Sequence, residues 1–108
     1  MALVRKKVST VKWPVSVKVP ADGGKWHKAT FTGIFKLCTL TEYGEYANQG
    51  DPELIKAVLE DWEGIEEEDG TEVPFNSKNL DSFLDDPHWI RGTTLAVLEL
   101  LNEGAAKN

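Results

Sequence analysis

The stretch DWEGIEEEDGTEVPFN, residues 61–76, separates two segments of the chain that both have helical patterns. Glycines and a proline interrupt it, and these residues favour turns over regular elements. Most of its other polar residues are acidic, which is typical of a solvated loop. We interpret it as an acidic turn between helices, with Trp62 and Phe75 as its anchors in the core.

Residues 61–72 match the length of a calcium-binding loop, which is the alternative interpretation. A calcium loop needs an oxygen ligand at its fifth position and a glycine at its sixth. This chain has Ile65 and Glu66 at those two positions. Because an apolar side chain cannot bind the cation, we predict a solvated loop and no metal site.

Upstream, residues 13–20 alternate apolar and polar side chains, which predicts a β-strand with one buried face. The prolines in this segment cannot donate ladder hydrogen bonds, so we expect the strand either to lie at a sheet edge or to be bounded by them. A turn with two glycines leads to a second strand at residues 25–36. We predict an antiparallel hairpin in which Phe31 and Phe35 meet the valines of the first strand.

The rest of the chain has helical periodicity. Apolar residues recur at helical spacing from Leu54 to Trp62, so we predict a helix that continues through Trp62 and ends at Gly64. The expected helices are a short one before Gly50, one from Asp51 to Trp62, a short one near residues 77–84 and one from Pro87 to Asn102. The expected N-caps are Thr39 or Thr41, Asp51, Asn76 or Ser77, and Asp86.

This order predicts an α+β fold, in which an N-terminal antiparallel β-hairpin precedes three to four α-helices. The length of 108 residues fits one domain. We expect a flexible or edge-strand arm at residues 1–10, one α+β domain at 11–103 and a frayed tail at 104–108. No apolar run is long enough to span a bilayer, so no membrane association is expected.

Charge is divided unevenly along the chain. Residues 1–36 contain eight basic residues and one acid, whereas residues 37–108 contain four basic residues and seventeen acids. Two solvated faces, head-to-tail self-association and nucleic-acid binding can each produce this pattern. The lysines are spaced along strands and the whole chain is acidic, which argues against nucleic acid.

No catalytic or cofactor site emerges from the residue types. His27 and His88 lack metal-ligand neighbours at a useful spacing, and Cys38 is the single cysteine. We interpret His27 as a strand-face residue, His88 as a surface residue and Cys38 as a small buried apolar one. The paired glycines of the first turn lack the lysine and following helix of a phosphate loop. We therefore predict no enzyme, no metal and no cofactor.

The last predicted helix is apolar over more than one face, because Glu99 is the only polar residue from Leu95 to Leu101. Such a helix is either central in the fold or covered by another subunit. We expect it to contribute to self-association and to partner binding. The residues assigned to partner binding are Trp89, Ile90, Val97, Leu98 and Leu101.

The order of these segments resembles the tail assembly chaperones of long-tailed bacteriophages and prophages. The resemblance covers roughly residues 10–102. It comprises the strand at 13–20 and the segment FTGIFK at 31–36. It continues with the segments WEG at 62–64, EDG at 68–70 and PF at 74–75, and ends with the closing helix. Its most specific part is the signature turn, formed by Trp62, Gly64, Asp69, Gly70, Pro74 and Phe75.

This resemblance implies a non-enzymatic protein that binds and solubilises the tape measure protein during tail morphogenesis. It implies action in the cytoplasm of the bacterial host and absence from the mature virion. The major tail protein is a second candidate partner. The alternatives are another small tail protein, of tail-tube or terminator type, and, less favoured, a nucleic-acid-binding module.

Overall fold

The computed structural model describes residues 2–3 and 10–106, with side chains as far as residue 102. Within this part the chain forms an antiparallel β-hairpin and four helices, which confirms the predicted α+β class. The elements are β1 (Thr10–Ala21), β2 (Lys25–Lys36), α1 (Leu40–Asn48), α2 (Asp51–Val58), β3 (Leu59–Glu63), α3 (Ser77–Phe83) and α4 (Pro87–Ala106). Most of the predicted arm at 1–10 lies outside the described residues.

The hairpin has the predicted arrangement. Val15 pairs with Phe31 and Val11 with Phe35, so the two phenylalanines meet the valine face of β1. Gly23 and Gly24 both have positive φ, which lets the chain reverse direction within a short turn. The strand order is β1-β2-β3, and the proline-containing β1 therefore lies at an edge, as predicted.

The prediction of a helix through Trp62 is wrong. The helix ends at Val58, and the next residues form β3, which pairs antiparallel with β2. Leu59 pairs with Phe35 and Asp61 with Ile34, so Glu60 is an extra residue that forms a β-bulge. Because the bulge reverses the alternation, Leu59 and Trp62 both face the core. Their spacing of three residues imitates a helical pattern.

The helix ends follow from local hydrogen bonds. Thr39 caps α1 through a capping box, in which its backbone N–H donates to Glu42 at 2.8 Å and lowers the pKa of that carboxyl. Asn76 caps α3, and Asp86 accepts hydrogen bonds from the first turn of α4, as predicted. The prediction of Asp51 as an N-cap is wrong, because Gly50 is the N-cap of α2.

Helix α4 ends at Ala106, four residues beyond the predicted end at Asn102. Residues 104–106, which the sequence predicts in the frayed tail, therefore belong to the helix. The two residues that follow lie outside the described part of the chain.

An aromatic cluster joins the sheet to the last two helices. The Trp89 ring stacks on Phe31 of β2 and on Phe83 of α3, with ring centroids 5.7 and 5.2 Å apart. Trp62 of β3 meets Phe83 and Trp89 edge-on, at 5.4 and 6.2 Å. These contacts fix α3 and α4 against the sheet, because each ring has a preferred contact geometry in addition to its apolar area.

Helix α4 packs tightly against the edge strand at Gly92. A Cβ on Gly92 would overlap the backbone carbonyl oxygen of Ser16 and would lie 3.2 Å from the Cα of Val17. Both atoms belong to the backbone, so no side-chain rotation can make room. Glycine at this position is therefore a condition for α4 to approach β1 this closely.

We predict that Gly92→Ala destabilises the protein by about 1–3 kcal/mol or more, since a strand and a helix must separate to accept the methyl group. Gly44→Ala is the matched control, because a Cβ added at that position of α1 would meet nothing within 4 Å. Alanine there should be neutral or stabilising by up to about 1 kcal/mol. Urea unfolding followed by circular dichroism measures both changes. Equal stability of the two variants would contradict the close approach.

Candidate partner-binding groove

Trp62, the first residue of the signature turn, is a core residue. It is buried, and its Nε1 donates a hydrogen bond of 2.8 Å to the backbone carbonyl of Val73. Its ring also meets Phe75 edge-on, with centroids 4.8 Å apart. One side chain thus holds both ends of the acidic loop together.

The other signature residues shape the same loop. Gly64 and Gly70 have positive φ, and an antiparallel bridge between Glu66 and Glu72 closes the loop. The Asp69 carboxylate accepts a hydrogen bond of 2.9 Å from the Thr71 backbone N–H. The Pro74 carbonyl accepts another from Asn79. The signature turn therefore connects β3 to α3, where the sequence predicted a turn between two helices, and its contacts are structural.

The five residues assigned to partner binding separate into two groups. Trp89 and Val97 are in the core, with exposed fractions of 3% and 0%, so they do not form a surface in this structure. Ile90 and Leu101 are half-buried against the core. Leu98 is 41% exposed and is the one member of the set that lies open to a partner.

A groove of about 590 Å³ opens between the β-hairpin and α4. It forms beside the close contact at Gly92, where the helix crosses the edge strand. Its lining comes from both elements: Ser16, Lys18 and Trp26 from the hairpin, and His88, Arg91, Gly92, Leu95 and Glu99 from α4.

The apolar part of the groove is unusually exposed for such large side chains. Trp26 and Leu95 have exposed fractions of 57% and 56%. Trp26 meets the His88 ring edge-on, with centroids 6.1 Å apart. His88 Nδ1 is buried and has no hydrogen-bond partner among the described residues. Tryptophan and arginine are enriched at protein interfaces, and the groove contains one of each.

The cations of the groove form no ion pair within the described part of the chain. Lys18 lies directly opposite Lys28 in the hairpin, and like charges in this arrangement repel. Arg91 adds a further cation on the helix side. Among residues 2–3 and 10–102 the one ion pair joins Lys12 to Glu63, away from the groove lining. The end of the groove that holds Lys18 and Arg91 therefore favours a ligand group with negative charge.

We also searched the described residues for a metal-binding cluster, a membrane-spanning helix and a reactive thiol. Residues 2–3 and 10–106 contain no group of three or more His, Cys, Asp or Glu side chains placed to hold a metal ion. Over the same residues, no helix has the length and apolar character needed to cross a membrane. Cys38 is half-buried, and burial raises the pKa of its thiol, which keeps the reactive thiolate scarce at neutral pH.

The sequence did not point to Lys18, Trp26, Arg91 or Leu95 as lining residues of one groove. Trp26 could have been recognised as an exposed aromatic residue, because it occupies a position of β2 that alternation assigns to the polar face. Leu95 belongs to an apolar helix whose exposed side cannot be identified without its packing partners. The crossing of α4 over β1 brings the two side chains together.

The chain is similar over residues 53–104 to the YdaY prophage protein family. The match supports a prophage origin for the chain. It begins in α2 and extends through β3, the signature turn and α3 into α4, and it leaves out the hairpin. The family is described only as a prophage protein, so a role in tail assembly goes beyond this match. Comparison with curated proteins and with solved structures found no match.

We predict that Trp62→Phe destabilises the protein by about 1–3 kcal/mol or more, because it leaves the buried Val73 carbonyl without its donor. Trp26→Phe is the matched control. Its side chain is exposed, so the change should stay within about 0.5 kcal/mol. Urea unfolding followed by circular dichroism compares them. A loss at position 26 as large as that at position 62 would contradict the structural role of the turn.

Proposed function

We propose that this protein is a non-enzymatic chaperone of phage tail assembly that binds and solubilises the tape measure protein while the tail is built. The similarity to a prophage family and the resemblance to tail assembly chaperones support this function. The proposed site of action is the cytoplasm of the bacterial host, and the protein is then absent from the mature virion.

The observation that carries the proposal is the groove between the hairpin and α4. Trp26 and Leu95 offer exposed apolar surface there, and Leu98 extends it along the helix. An amphipathic helix can place its apolar face in such a groove, which is a common mode of peptide recognition. The tape measure protein is expected to be long and helical, so it presents many segments of this kind.

The acidic loop contributes solubility to this function. Glu66, Glu67, Glu68 and Asp69 are all exposed, and the chain has a net charge of −6. Repulsion between complexes of like charge keeps them apart in solution. A chaperone that covers an apolar client needs this property, because the client would otherwise aggregate before the tail tube forms around it.

We predict that Leu95→Asp and Trp26→Ala each weaken capture of the tape measure protein about tenfold or more, since each removes a large apolar contact from the groove. Leu40→Asp is the matched control, because Leu40 is 84% exposed at the start of α1 and lies outside the groove lining. Co-purification from cells that co-express a tape measure protein measures the effect. Val97→Asp is unsuitable, because that side chain is in the core.

The possible results of this experiment test the binding surface and the proposed function separately. Wild-type capture of the tape measure protein by the Leu95 and Trp26 variants would place the binding surface elsewhere. Failure of the wild-type protein to capture it, together with presence of the protein in purified virions, would favour a tail-tube or terminator protein. Binding to DNA that weakens steeply with salt would favour a nucleic-acid-binding module.

A further inference from the structure

The exposed side chains of α4 form a single narrow stripe. Between residues 90 and 102 the exposed residues are Arg91, Leu95, Leu98, Glu99 and Asn102. At about 100° of rotation per residue they all fall within an arc of roughly 100°. The other residues between 90 and 102 are buried or half-buried. We refer to these five residues as the α4 stripe.

Charge changes sign along the α4 stripe. Arg91, Leu95 and Glu99 follow one another at steps of four residues, so a cation, an apolar side chain and an anion lie in a row of about 12 Å. The ion pair between Lys12 and Glu63, the one pair among the described residues, involves neither charge of this row. Both charges are therefore available to a partner.

The hairpin strengthens the positive end of the row. Gly92 lies against Ser16, and His88 lies against Trp26, which pairs with Pro20. Lys18 is between Ser16 and Pro20, and it therefore lies near the Arg91 end of the groove and away from Glu99.

When two such rows run in opposite directions, the cation of each row faces the anion of the other. We infer that two copies of the chain pair through their α4 stripes in antiparallel orientation, about a two-fold axis at Leu95. Arg91 of each copy then faces Glu99 of the other, and the two Leu95 side chains meet at the axis. A parallel pair would place like charges together, so the antiparallel arrangement is selected.

The dimer would cover Leu95 and Leu98 while no client is bound. In this arrangement the client helix and the second copy occupy the same groove, so client binding replaces one copy by another helix. This exchange rests on the proposed function, whereas the dimer itself does not.

The test compares Arg91→Glu, Glu99→Arg and an equimolar mixture of the two variants by sedimentation velocity over a range of concentrations. Each variant alone faces two repulsive contacts in place of two attractive ones, and its dimer should weaken about tenfold or more. In the mixture, Glu at position 91 meets Arg at position 99, and Glu99 meets Arg91. The mixture should therefore dimerise within about threefold of wild type.

Leu95→Asp places two carboxylates at the axis and should leave only monomer. Both charge variants and Leu95→Asp alter exposed side chains, and circular dichroism checks that each variant folds. A wild-type protein that is monomeric at every concentration would overturn the dimer. So would charge variants that dimerise as wild type does, or a mixture that dimerises no better than its components.

Addition of a helical fragment of the tape measure protein tests the exchange separately. We expect the fragment to convert the dimer into a complex of one chain with one fragment. Binding of the fragment to an intact dimer would overturn the exchange. No binding of the fragment would overturn the proposed function, while the result for the dimer would stand.

Discussion

The structure depends on the contacts of Trp62. Its ring meets Phe75, Phe83 and Trp89, and its Nε1 is bonded to the Val73 carbonyl. One side chain of β3 therefore joins the sheet, the acidic loop, α3 and α4. The loop is rich in like charges that repel one another. It keeps its shape because both of its ends are fixed to the core, and because the Glu66–Glu72 bridge and the hydrogen bond from Thr71 to Asp69 close it.

The position of α4 follows from this cluster and from Gly92. Trp89 holds the start of the helix against Phe31 and Phe83, and the missing side chain at Gly92 lets the helix backbone approach that of β1. At Ser16 and Val17, the helix therefore lies directly against the backbone of β1. The same crossing leaves a groove between the hairpin and α4 and a narrow exposed stripe along the helix.

The proposed function uses the way in which charge is distributed over this arrangement. The groove combines exposed apolar surface with two cations and one anion, Glu99, and none of the three forms an ion pair in the described part of the chain. The acidic loop lies outside the groove lining. A protein with such a division can bind an apolar helix through one surface and remain soluble through another. The acidic signature turn, which is the most specific part of the resemblance to tail assembly chaperones, makes structural contacts. The surface that we propose for the client is formed by the hairpin and α4.

Residue patterns alone were enough to predict the hairpin, the contact of Phe31 and Phe35 with its valine face, and the start of most helices. Alternation, prolines, glycines and capping residues act within a few positions of one another, so these features are local. The sequence did not determine β3, since the bulge at Glu60 gives a strand the spacing of a helix. It also placed Trp89 and Val97 at a surface and did not find Trp26 beside Leu95. The apolar pattern of α4 shows that the helix must be covered. Which residues stay exposed was decided by the tertiary structure, because that depends on how closely α4 can cross β1 at Gly92.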